Sequence, residues 1–260
     1  MDLHLADKVA IVTGASKGIG LAITRALADE GTEVIAGART LTDELSQLAD
    51  GGRVRPVQVD LATPDGPAML VDAVGAGGLD ILVNNVGAVR PRTGGFLSVT
   101  DDEWISALTI NFLAAVRTTR AALPHLIERG SGAVVTVNSV NATLPDPLVI
   151  DYSAAKAALA NFSKALSKEV GRQGIRVNTV SPGPVSTALW LGADGVAATV
   201  AEAHGMKPAA VADRAASQSV TGRFTRPDEV ADLVVWLAGD RASNITGADF
   251  TIDGGLINTL

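Results

Sequence analysis

The stretch Val9-Ala10-Ile11-Val12-Thr13-Gly14-Ala15-Ser16-Lys17-Gly18-Ile19-Gly20 sets an apolar β-branched run directly before a glycine turn and a helical pattern. The run suits a buried strand, and the helical pattern extends from about Ile19 to Glu30. Glycines permit a tight turn and close backbone approach, while the start of a helix aims unpaired N–H groups at whatever lies in the turn. A pyrophosphate suits that place, with Gly14, Ser16, Lys17, Gly18, Ile19 and Gly20 around it. The spacing is Gly-x-x-x-Gly-x-Gly rather than Gly-x-Gly-x-x-Gly, and in isolation it also describes a strand–helix turn without a ligand. Its position right after the first strand is what favours a dinucleotide.

The same alternation of strand and helix runs to the end of the chain. Val34-Ile35-Ala36, Val54 to Val59, Ile81-Leu82-Val83, Val134-Val135-Thr136-Val137, Ile175 to Val180 and Phe250-Thr251-Ile252 bring the strands to seven. Buried β-branched runs separated by helices predict an α/β, doubly wound, seven-stranded parallel sheet of Rossmann-like type, because parallel strands need crossovers. Thr100-Asp101-Asp102-Glu103 reads as a capping box, opening a helix that passes Asn111 and is kinked or ended by Pro124. Asp151 is placed to cap the next helix and Gly174 to terminate it. Residues 188–224 break the rule of short connections and read as a lid or substrate loop.

The chain has 260 residues, 47% of them hydrophobic, with no cysteine and a formal charge of -7. This fits one globular domain spanning residues 1–260. Lack of cysteine excludes disulfides, thiolate metal sites and cysteine nucleophiles. The acidic balance argues against a broad nucleic-acid surface, and apolar stretches are interrupted before they could cross a bilayer. No signal-peptide pattern precedes the first strand, so a cytoplasmic enzyme is expected. His4, His125 and His204 are too scattered for a metal site.

The end of the second strand bears on which dinucleotide binds. Proteins built for NAD usually carry an acid there, to accept from the ribose hydroxyl. Val34 to Arg39 contains no acid and ends in arginine, and Lys17 adds a second cation. A 2′-phosphate suits a guanidinium fork, so NADP(H) is the expected cofactor.

Tyr152 is the only tyrosine, and it stands four residues before Lys156. On a helix these two share a face. A charge pair about 4 Å apart at an effective dielectric near 20 is worth roughly 4 kcal/mol, enough to draw a phenol from about 10 toward about 7. The expectation is a tyrosine acidified by lysine that exchanges a proton with substrate.

The ordered set of Thr13 to Gly20, Asp60, Asn84-Asn85-Val86-Gly87, Asn111, Ser139 thirteen residues ahead of Tyr152, Lys156 and Pro182-Gly183 resembles the short-chain dehydrogenase/reductase family, in its short single-domain branch. The resemblance covers essentially the whole chain. It implies Tyr152 as general acid or base, Lys156 holding the nicotinamide ribose, Ser139 donating to the substrate carbonyl and Asn111 holding a relay water. It further implies Asp60, with Leu61 beside it, near the adenine. Asn85 and Gly87 would line the cleft, Asn84 would secure the strands, and Pro182, Gly183, Val185 and Thr187 would meet the nicotinamide end. Val86 stands where the family usually has alanine. Such enzymes reduce carbonyls or oxidise secondary alcohols. A modest apolar ketone or a 3-oxoacyl group is the expected substrate, with a 3-oxoacyl-carrier-protein reductase as one alternative and an idle NADP(H) sensor as another. Arg129 and Arg172 lie near the places where carrier reductases dock their acidic partner. The small face of Ala154 and Ala158 implies a homo-oligomer, dimer or tetramer.

Overall fold

A computed structural model describes residues 1–259. The strands β1 (Val9–Thr13), β2 (Glu33–Ala38), β3 (Val54–Gln58), β4 (Ile81–Asn84), β5 (Gly132–Val137), β6 (Ile175–Pro182) and β7 (Asp249–Ile252) form one sheet in the order β3-β2-β1-β4-β5-β6-β7. Every neighbouring pair is parallel, with Ile11 facing Ile35 on one side and Leu82 on the other. The strands fall where the β-branched runs predict them, because a strand covered on both faces must be apolar throughout.

Helices α1 (Gly18–Asp29), α2 (Asp43–Ala49), α3 (Gly66–Asp72), α4 (Asp101–Leu108), α5 (Ala114–Arg129), α6 (Ile150–Val170), α7 (Ala188–Leu191), α8 (Val196–His204), α9 (Pro208–Ser217) and α10 (Pro227–Ala238) complete the fold. One face of the sheet packs Val12, Val83, Val135 and Val180 with Ile23 and Leu27 of α1 and Val230 and Val234 of α10. The other packs Ile11, Leu82, Val134 and Val177 with Leu70 of α3, Leu126 of α5 and Leu166 of α6. At the N-terminal rim of the sheet, the Arg176 guanidinium donates to the carbonyls of Leu237, Ala238 and Gly239, which end α10.

Two expectations need correction and one, at Pro124, is narrowed. Pro124 lies inside α5 without ending it, and the helix runs on to Arg129; the proline costs one backbone bond, while the buried Ala122 and Leu126 on either side hold the helix to the sheet. Val149, not Asp151, is the N-cap of α6, and Asp151 lies in its first turn. Residues 188–224 are largely helical, as α7, α8 and α9. Their alanine content favours helix, and Val196, Ala197 and Ala201 are buried. The capping box at Thr100 and Glu103 is present, and Gly174 closes the turn after α6 with φ +80°. No described helix is long and apolar enough to cross a membrane.

Candidate active site

Parallel strands put all their C-terminal ends on one rim, and the reversal of strand order between β1 and β4 opens a crevice there. The glycine turn forms its floor. Gly14 has φ +67°, a conformation costly for other residues, and a Cβ on Gly20 would fall 2.2 Å from the Gly14 carbonyl oxygen. Thr13 stitches the turn to the next strand. Its Oγ1 donates to Val83 O at 3.2 Å and accepts from the backbone N–H groups of Asn85 and Val86 at 2.8 and 3.0 Å. The Asn85 amide donates to Thr13 O and Gly14 O. That side chain is therefore occupied in fixing the turn.

The start of α1 has no side-chain cap, so its N–H groups stay open to an anion. The turn is tied to the end of β2 by Ala15 N–H donating to Gly37 O at 3.1 Å, and the Thr42 hydroxyl donates to Ser16 O at 2.8 Å. Arg39 and Lys17 are thereby brought to one region; both are exposed, and neither makes an ion pair with a described residue. Asp60 turns one carboxylate oxygen back onto the Ala62 N–H, and Leu61 is buried. Across the crevice, a Cβ on Gly18 would touch the Thr187 side chain at 3.2 Å, so the segment after Pro182 and Gly183 reaches back to the turn. Val185 is buried and bridges to Thr225. An open helix start, a cradle that a Cβ would fill and two cations without an ion pair among the described residues fit a dinucleotide phosphate.

Ser139, Tyr152 and Lys156 meet at the end of β5. Lys156 is buried, donates to Val137 O at 2.9 Å and stands 5.7 Å from the Tyr152 ring centroid. Asn111 lies in a π-helical turn, Thr109–Leu113, between α4 and α5. Its Oδ1 accepts from Ala88 N–H at 2.9 Å, and its amide donates to the carbonyls of Ala88 and Ala107. A Cβ on Gly87 would come 2.9 Å from Asn111 Oδ1 and 3.9 Å from Lys156 Nζ, so the glycine marks where the two groups converge. The Ser139 hydroxyl is bonded to Asn141.

The expected acidification of Tyr152 is reversed. Tyr152 is half-buried, and burial pushes the phenol above its ordinary value, with an opposing pull from the Ser139 hydroxyl. Burial also lowers Lys156 to about 8. Desolvation acts against both charged forms at once and is the leading cause of both shifts.

Several residues were not anticipated from sequence. Arg92 pairs with Asp151 and Glu103 beside Tyr152. Asn138, next to Ser139, is buried with neither amide atom bonded to a described residue. An arginine in a loop and an asparagine ending a strand carry no periodic signal; only the adjacency of Asp151 to Tyr152 hinted at the first. Trp190 packs on Phe224 with ring centroids 5.3 Å apart, while Leu189, Leu191, His204 and Met206 are exposed.

A family model described as enoyl-(acyl carrier protein) reductase matches residues 14–257. D-threitol dehydrogenase of Mycolicibacterium smegmatis is 37% identical, over 98% of this chain and 94% of that one. The 3-oxoacyl-[acyl-carrier-protein] reductase of Thermotoga maritima is 32% identical, over 98% of this chain and all of its own length. Among solved structures, L-sorbose reductase from Gluconobacter frateurii, complexed with NADPH and L-sorbose, superimposes with a TM-score of 0.91 at 35% identity, over 100% of both chains.

Proposed function

The chain belongs to the short-chain dehydrogenase/reductase family, and from that premise we propose that it is an NADP(H)-dependent oxidoreductase interconverting a carbonyl and a secondary alcohol. The observation that carries this reading is the convergence of Tyr152, Lys156, Ser139 and Asn111 at the rim crevice. A bound nicotinamide supplies or accepts the hydride. Tyr152 gives its proton to the carbonyl oxygen in reduction and takes one in oxidation. Ser139 donates a hydrogen bond to the same oxygen as negative charge gathers on it. Lys156 places a cation behind the phenol, and Asn111 holds the Ala88 turn that closes this side of the site. Gly14, Ser16, Lys17, Gly18, Ile19 and Gly20 hold the pyrophosphate, with Asp60, Leu61, Asn85 and Gly87 along the cleft and Pro182, Gly183, Val185 and Thr187 at the nicotinamide end. Arg39 and Lys17, neither paired with an acid among the described residues, support a 2′-phosphate and hence NADP(H).

A cleft of about 180 Å³ opening on Tyr152 is lined by Arg90, Arg92, Asp102, Glu103, Ser106 and Asp151 as well as Ala88, Ala107 and Ile110. Arg90, Asp102 and Ser106, whose side chains make no bond to a described residue, favour a short hydroxylated carbonyl compound over the apolar ketone expected from sequence, and names such as sorbose reductase and threitol dehydrogenase among the relatives point the same way. The carrier-protein reading is weaker, because Arg129 spends its guanidinium on Asp80 at 2.6 Å. The retained Ser139, Tyr152 and Lys156 speak against an idle sensor. Ala154 is exposed on α6 beside the half-buried Ala158, which keeps a dimer or tetramer as the proposed assembly, to be tested by light scattering.

The deciding experiment is a turnover panel of ketoses, apolar ketones, a 3-oxoacyl thioester and their alcohols, with NADP(H) and with NAD(H). Tyr152→Phe should lower kcat by roughly 10²–10⁴-fold with cofactor binding retained. Full turnover in that folded variant would falsify the acid–base reading. A clear preference for NADH would remove the reading of Arg39 and Lys17.

A further inference from the structure

We propose that Arg92 and Asp151 are positioning residues for Tyr152, locking the first turn of α6 to the loop after β4; this rests on the acid–base reading of Tyr152. The Arg92 guanidinium reaches Asp151 Oδ2 through Nη2 at 2.5 Å and through Nε at 3.1 Å, and Glu103 Oε1 through Nη1 at 2.5 Å. The two side chains of the central pair are only 10% and 2% exposed. The other Asp151 oxygen accepts the backbone N–H of Tyr152 at 3.0 Å. Arg92 also donates its own backbone N–H to Leu148 O at 2.6 Å, just ahead of α6. Glu103 is the acid of the α4 capping box. One guanidinium therefore joins three elements that meet at Tyr152, and its hold on the phenol passes through a single carboxylate.

Stability alone is a poor account of this arrangement. Buried ion pairs recover little more than their desolvation cost, and apolar replacements of similar shape are often as stable. The N-cap Val149 offers no side-chain bond, so Asp151 provides the negative charge favoured at the start of α6. The position of that turn depends on the pair, and hydride chemistry is sensitive to small misplacements.

The charged groups around Tyr152 are Lys156 from its own helix, Arg90 and Arg92 from the loop after β4, and Asp102 and Glu103 from α4, besides Asp151 itself. The Ser139 hydroxyl faces it from the end of β5. Removing a member of the triad changes the charge near Tyr152. Asp151→Asn removes an anion, leaving Arg92 paired with Glu103, and should lower the Tyr152 titration midpoint; Arg92→Gln leaves the anions Asp151 and Glu103 uncompensated and should raise it. A purely structural loosening would expose the phenol and move both midpoints downward.

The experiment measures kcat, KM and the ultraviolet phenolate titration of the sole tyrosine in Asp151→Asn, Arg92→Gln, Arg92→Lys and the double Arg92→Gln/Asp151→Asn. The expected result is a kcat loss of about tenfold or more in the neutral variants, with KM for NADPH within about twofold, opposite midpoint shifts in the two single variants, and partial recovery of kcat in Arg92→Lys. Unchanged kcat in the folded neutral variants, or midpoint shifts of one sign, overturns the proposal. Where a single variant does not fold, the charge-neutral double variant and Arg92→Lys are read by the same kcat criterion. Tyr152→Phe is run alongside. If its turnover is lost while the Arg92 and Asp151 variants keep theirs, only the positioning role fails; if Tyr152→Phe itself stays active, the acid–base reading fails first.

Discussion

Lys156 is buried, and that fixes the sign of its effect on folding. Its folded value of about 8 lies below the ordinary 10.5. Between these two pH values the unfolded chain still holds a proton that the native lysine has released, so the stability contribution of this group rises with pH across that window. Urea midpoints measured from below to above the window should climb by more in the wild type than in Lys156→Met. Tyr152 moves the other way. In the protein without cofactor, its phenolate should appear above the ordinary 10, and a midpoint near 7 in that state would contradict the burial described here. Sequence spacing shows that a phenol and an ammonium share a helix face. It does not show how much water that face retains, so spacing alone gives the wrong direction for the shift.

Two small elements carry the geometry of the rim. The first is the stitch from Thr13 to the strand beside it. Thr13→Val keeps the shape but strands the partly buried N–H groups of Asn85 and Val86, which should cost about 2–6 kcal/mol by urea denaturation, at about 1–3 kcal/mol for each unmatched group. The second is the π-helical turn around Asn111. In Gly87→Ala the new methyl must displace Asn111 Oδ1, 2.9 Å from where it would sit, and loosen the Ala88 clamp. Turnover should fall by about tenfold or more with the fold intact by circular dichroism. The strands, the glycine turn and the capping box were legible because periodicity and turn chemistry are local. The π-helical turn and the ion triad around Arg92 were not, since each depends on partners distant in the chain, and the helices in 188–224 are short and parted by Gly192, Gly195, Gly205 and Pro208, which read as loop.

Across the whole molecule, two apolar layers clamp a sheet whose strands are buried on both sides. Leu82 has no accessible surface, so Leu82→Ala should cost about 2–5 kcal/mol in chemical denaturation. Leu97 is 96% exposed, and Leu97→Ala should stay within about 0.5 kcal/mol. These costs belong to the sheet and its covering helices, while the proposed chemistry lies in the turns that leave one rim. The grip of Arg176 on the end of α10 sits at the opposite rim, where the chain carries none of the residues assigned to catalysis. Anchorage and chemistry therefore occupy opposite poles. A lineage, or a protein engineer, can retailor the substrate-facing pole for a new alcohol without loosening the mooring that keeps the last helix in place.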